Sequence, residues 1–152
     1  MTENKERATK YYIEIVKPTV DEFMNDECSI RKGMLASITI HHIIDYLYCN
    51  SSKSNGFKIS SSECDALNTI KDVCNASKHC ELTQGKPSIK SSGQIIQEDT
   101  PGLFSAPFGT GGFFEANYVF VKLNDEINGD KFRCLPHVIK EAMKYWDKRL
   151  LS

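Results

Sequence analysis

Apolar positions recur at helical spacing in four stretches of the chain, while one later stretch alternates as a strand does. The first stretch begins after a frayed start over residues 1 to 8 and carries Tyr12, Val16, Val20 and Phe23. Pro18 falls inside it. A proline removes a helix hydrogen bond and presses on the preceding turn, so the helix either kinks there or restarts with Pro18 in a first turn. The grouping Val20, Phe23, Met24 suits the restart. Ser29 is the expected cap of the next helix, which runs to about Cys49 and ends in the breaker run Asn50 to Gly56.

This second helix is apolar on two sides. Gly33, Ala36, Ile40, Ile43, Ile44 and Leu47 share one face, with Met34, Leu35 and Ile38 roughly opposite, which predicts a central position among other helices. The opposite face also carries Arg31, His42 and Asp45, polar groups that need partners if they are buried.

The third stretch, Ser60 to Leu82, offers those partners. Serines 60 to 62 supply capping oxygens and Glu63 follows as a capping box requires, so a helix is expected from near Ser61. Leu67, Ile70, Cys74 and Ser77 form its apolar stripe, and Asp72, Asn75 and His79 fall on a neighbouring face. If a loop from Asn50 to Ile59 joins two antiparallel helices, His42 and Asp45 sit level with the early turns of the third helix, and His79 lies closer to Arg31.

Helical spacing stops between Gln84 and Gly112. Ser91, Ser92 and Gly93 could turn a hairpin, and Gly102 to Gly112 reads as a loop. Its Gly109-Thr110-Gly111-Gly112 lacks the Lys and Ser/Thr of a phosphate-cradling loop and precedes a strand rather than a helix. Phe113 to Leu123 alternates as a strand, Asn128-Gly129 signals a tight turn, and Lys131 to Cys134 can return beside it. Pro136 then fits the first turn of a last helix whose inner face is Leu135, Val138, Ile139, Ala142, Met143, Trp146 and Leu150. The predicted fold class is mainly α: an up-and-down bundle of four to five helices with a small antiparallel β insertion, about residues 84 to 134, before the last helix. All of residues 1–152 fit a single domain.

A net charge of -1 gives no global field that would announce nucleic acid or membrane, so any such surface must be a local patch. One candidate is Lys140, Lys144 and Lys148 on the last helix, with Lys131, Arg133 and Arg149 nearby; the other reading is a solvated face. Met1 to Arg7 is polar with no apolar core after it, and no apolar run approaches the length of a membrane span, so an unexported protein with a cytoplasmic location is expected. The six cysteines, scattered through apparent helices, read as reduced thiols. Zinc held by His79, Cys80 and His41 or His42 is a minor alternative, and no cofactor is expected.

Two segments, Ser29-Ile30-Arg31 with His41-His42-Ile43-Ile44-Asp45 and Asp72-Val73-Cys74-Asn75-Ala76-Ser77-Lys78-His79, together resemble the HEPN superfamily of small helical domains. The second segment looks most like that family's final-helix motif. The resemblance implies an up-and-down bundle, a homodimer, and RNA binding or metal-independent RNA cleavage in toxin or defence systems. In the active family members an Arg precedes the His on one helix, whereas Val73 or Cys74 stands at that place here. Cleavage of this kind needs a base for the 2'-hydroxyl, an acid for the leaving oxygen and a cation for the phosphorane. The resemblance therefore implies a site of His79 as base or acid, Asn75 beside it, and Lys78 or Arg31 as the cation. A catalytically inert interaction or dimerisation module is the alternative. Phe104, Phe108, Phe113 and Phe114 could stack bases or pack on the helices.

Overall fold

Pro18 does not stop the first helix. In the computed structural model, which describes residues 3–99, 117–127 and 129–152, α1 (Glu3–Tyr11) passes into a π turn (Tyr12–Val16) and on into α2 (Lys17–Met24). The backbone stays helical at both junctions. The N–H of Lys17 reaches the carbonyl of Tyr12, five residues back, so the turn ahead of Pro18 is widened where a proline would crowd a regular helix. Pro18 itself lies in the first turn of α2, as the restart reading requires.

Ser29 caps α3 (Ile30–Leu47) by accepting from the N–H of Lys32 at 3.3 Å. This helix packs on α1 and α2 and on three later helices, α4 (Lys53–Glu63), α5 (Ala66–Lys78) and α6 (Leu135–Leu150). Gly33 permits the closest approach: a methyl there would lie 2.8 Å from Leu135 of α6 and 3.2 Å from the Phe23 ring of α2.

The loop expected from Asn50 to Ile59 is instead a helix, α4 (Lys53–Glu63), capped by the Ser52 hydroxyl. Gly56 is not a breaker in this context. The Tyr48 ring packs so tightly over it that a methyl would fall 2.4 Å from ring carbons. Replacing Gly56 with alanine is expected to lower stability by about 1–3 kcal/mol despite alanine's better helix propensity, because overpacking outweighs propensity here. A urea midpoint that stays put or rises would overturn this expectation.

Serines 60 to 62 consequently close α4 rather than opening α5 (Ala66–Lys78). The expected capping box is absent: Glu63 accepts from Tyr145 and Arg149, and Asp65 precedes α5 without a side-chain cap.

Three strands, β1 (Ile95–Asp99), β2 (Asn117–Ile127) and β3 (Asp130–Cys134), form an antiparallel sheet in the order β1-β2-β3. Ser91 to Gly93 does not turn a hairpin; Ser92–Gln94 is a single helical turn that feeds β1. The β2–β3 turn contains Gly129 at φ +85°, a conformation glycine adopts without strain. Val119, Val121 and Leu123 alternate inward and are buried, with Phe120 also covered. The sheet delivers the chain to α6 (Leu135–Leu150), whose Leu135, Val138, Ile139, Ala142, Trp146 and Leu150 enter the core. The loop Gly102 to Gly112, its Gly109–Gly112 run and the four phenylalanines at 104, 108, 113 and 114 lie outside the described residues. The fold is thus mainly helical, with a small antiparallel sheet before the last helix. No helix among the described residues is long and apolar enough to cross a membrane.

Candidate functional site

The last two turns of α5 form one wall of an open cleft of about 500 Å³. Lys71, Asn75 and His79 line it at four-residue steps along the helix, and the opposite wall is the segment Glu81 to Pro87, which includes Lys86. That second wall is tied down from three sides. Buried Asp72 accepts from the backbone N–H of Ser88 at 2.7 Å and from its hydroxyl at 2.6 Å. On β2, the N–H of Asn124 donates to the Ser88 carbonyl at 2.8 Å, and its side-chain amide donates to the Pro87 carbonyl at 3.2 Å. The N–H of Leu82 donates to the carbonyl of Lys90 at 2.6 Å, closing the segment on itself.

Asp72 is therefore an anchor rather than a reacting group. Replacing it with alanine removes the acceptor for both Ser88 donors and is expected to cost about 1–3 kcal/mol. The Ser88 amide should then exchange with solvent much faster than in the parent. Unchanged exchange at Ser88 would show that the tie does not hold the loop.

The four predicted site residues divide. Asn75 and His79 share the cleft. His79 is exposed at the end of α5, its N–H donating to the Asn75 carbonyl at 3.0 Å. Lys78 turns to α3, where its Nζ stands 2.7 Å from Nε2 of His42. Arg31 is exposed in the first turn of α3, eleven positions before His42, about 16 Å along the helix axis. The sequence expectation that His79 lies closer to Arg31, with His42 and Asp45 level with the start of α5, is corrected by the contact of Lys78 with His42. It assumed a short loop between neighbouring helices, and α4 occupies that place.

Around His42 a second polar cluster forms. With Lys78 donating, the His42 imidazole is neutral and accepts; burial first, and then the Lys78 charge, push its pKa down. Asp45 does not partner His42 or Arg31 but pairs with Lys53 at 3.0 Å. Neighbouring His41 is pushed down to about 4, chiefly by burial and then by His42 and Lys78, and its ring meets Phe57 edge-on at 5.7 Å. Lys71 lies between the two clusters, its Nζ 5.0 Å from the centroid of Phe57.

Of the basic stripe on α6, Lys144 and Lys148 are exposed and make no ion pair among the described residues, whereas Lys140 and the nearby cations are engaged. Lys140 pairs with Glu27, Arg149 with Glu63 and the Tyr48 hydroxyl, Arg133 with Asp65 and Thr69, and Lys131 with Glu126. All six cysteines are free thiols. No group of three His, Cys, Asp or Glu side chains among the described residues is placed to hold a metal ion, which leaves His79, Cys80 and a histidine of α3 without the geometry of a zinc site.

Sequence reasoning missed Lys71 and Lys86. The four-residue spacing Lys71, Asn75, His79 was available as a signal. Lys86 had none, because a loop position carries no periodicity. No family model, no curated protein and no solved structure matches this chain.

Proposed function

We propose that this protein is a HEPN-like up-and-down helical bundle of the cytoplasm that binds single-stranded RNA in the cleft between α5 and the Glu81–Pro87 wall. One observation carries the reading. Asn75 and His79, the residues singled out by the final-helix motif, line the same volume as two lysines, Lys71, whose Nζ stands 3.9 Å from Asp72, and Lys86. An amide and an imidazole can accept or donate to a base edge or a 2'-hydroxyl, and two lysines neutralise adjacent phosphates. A cleft of about 500 Å³ has room for a nucleotide-sized ligand.

Binding is favoured over cleavage by the division of the site. Cleavage needs a base, an acid and a cation together. The residues that the resemblance assigns to that chemistry do not converge: Lys78 is engaged by His42 and Arg31 stands in the first turn of α3, while Asn75 and His79 line the cleft.

The test is fluorescence anisotropy with a labelled single-stranded RNA over a salt series. Two phosphate contacts predict a log–log salt slope near about -1.4, and Lys71→Ala with Lys86→Ala should flatten it while weakening binding. RNA affinity that is absent, or indifferent to both substitutions and to His79→Ala, sinks the reading. Metal-free cleavage by the parent but not by His79→Ala would instead promote the cleft to a ribonuclease site.

A further inference from the structure

Lys78 is the last residue of α5, and its ammonium reaches across to α3, where its Nζ stands 2.7 Å from Nε2 of His42. A lysine ammonium has donors and no acceptor, so this contact exists only while Nε2 carries a lone pair. Protonation of His42 turns both partners into donors and leaves two cations face to face. The contact is therefore intact at neutral pH and is lost as pH falls below 6.5, because burial first, and then the Lys78 charge, place the protonation of this imidazole below that usual value.

The groups around the pair decide what replaces it. On α3 itself His42 is flanked by His41, with ring centroids 6.3 Å apart, and by Asp45 one turn on. Helix α4 presents Lys53, while α5 presents Lys71, which acts on His41, and the buried Cys74 thiol beside Lys78. The phenols of Tyr11 in α1 and of Tyr46 lie near Asp45. Asp45 is the one carboxylate in this set. Its pairing with Lys53 at 3.0 Å joins side chains that are 46% and 54% exposed, a surface contact that is readily given up. Three residues along the same helix, Asp45 is within reach of an imidazolium at His42.

We propose that Lys78 and His42 are a pH-operated latch between α5 and α3: protonation of His42 releases Lys78, passes the imidazolium to Asp45 and frees the last turn of α5. The proton comes from solvent and lodges on Nε2, and no other covalent bond changes. The freed turn ends in the bond from the His79 N–H to the Asn75 carbonyl, and both of these residues line the cleft, so the latch bears on the shape of its α5 wall. The inference is read on the free protein and does not rest on the RNA reading.

Two-dimensional NMR of the full chain, as pH is lowered from neutral through the protonation of His42, tests it. In the parent the backbone amides of Ser77 and Lys78 should shift with the same midpoint as the His42 ring. In His42→Gln, whose side-chain oxygen accepts from Lys78 at every pH, that step should vanish; the other imidazoles are present in both proteins and drop out of the comparison. Lys78→Met should raise the His42 midpoint by removing a cation, and Asp45→Asn should lower it by removing the carboxylate that receives the imidazolium. An amide step that survives in His42→Gln overturns the proposal. So does a His42 midpoint that Lys78→Met leaves in place or lowers, or one that Asp45→Asn fails to lower.

Discussion

Truncation of Trp146 to alanine is expected to remove about 3–5 kcal/mol of stability, the largest loss foreseen for any single site in this protein. Its side chain is fully buried, it is the bulkiest group in the core, and its ring meets Tyr145 edge-on at 4.9 Å. A hole of that size cannot close, since α6 is held on one side by Leu135 against α3 and on the other by the Arg149 contacts with Tyr48 and Glu63. Trp146→Phe should behave quite differently. The indole N–H has no hydrogen-bond partner among the described residues. Its removal relieves an unsatisfied buried donor, worth about 1–3 kcal/mol, and offsets much of the lost volume. Denaturant midpoints at constant slope measure both variants. A phenylalanine variant as unstable as the alanine one would show that the N–H is satisfied after all.

The second large effect is a dependence on pH through His41. Its folded pKa, about 4, lies below the 6.5 of a free imidazole because burial disfavours the charged ring. Between those values the unfolded chain binds a proton that the folded one refuses. Stability from this group is therefore complete above pH 6.5, declines as pH falls, and levels off below about pH 4. The full decline is about 3 kcal/mol by proton linkage. His42 is shifted the same way and adds to it with the same sign. Carboxylates titrate in the lower part of this window, so the quantity to measure is the difference between the parent and His41→Gln. That difference should narrow as pH falls from 6.5 to 4. A parallel pair of pH–stability curves would show that His41 takes up its proton in the folded state as readily as in the unfolded one.

The elements that could be read from the chain are those whose local chemistry and tertiary role agree. Pro136 and the inward residues of α6 mark that helix from sequence alone, as the alternation of Val119, Val121 and Leu123 marks β2. The failures cluster between Asn50 and Asp65. Glycine and a run of serines argue against a helix locally, yet the Tyr48 ring needs the missing side chain of Gly56, and Glu63 serves α6 rather than a cap. Tertiary packing overrides propensity there. One unseen helix then propagates into the site, because the register that would have joined His79 to Arg31 depends on what connects α3 to α5. Asn75 and His79 were legible because they lie on one helix at fixed spacing. Ser88 and Lys86 were not, since their place depends on a buried carboxylate sixteen residues away in sequence from Ser88.

The triple anchoring of the Glu81–Lys90 segment bears on affinity as well as shape. A loop that must be ordered by its ligand charges about 1–2 kcal/mol per residue against the association. Here helix, strand and loop backbone have already met that entropy during folding, through Asp72, Asn124 and the Leu82–Lys90 bond. The cleft is a preorganised wall, and a ligand entering it is spared the loop-ordering part of the cost of association.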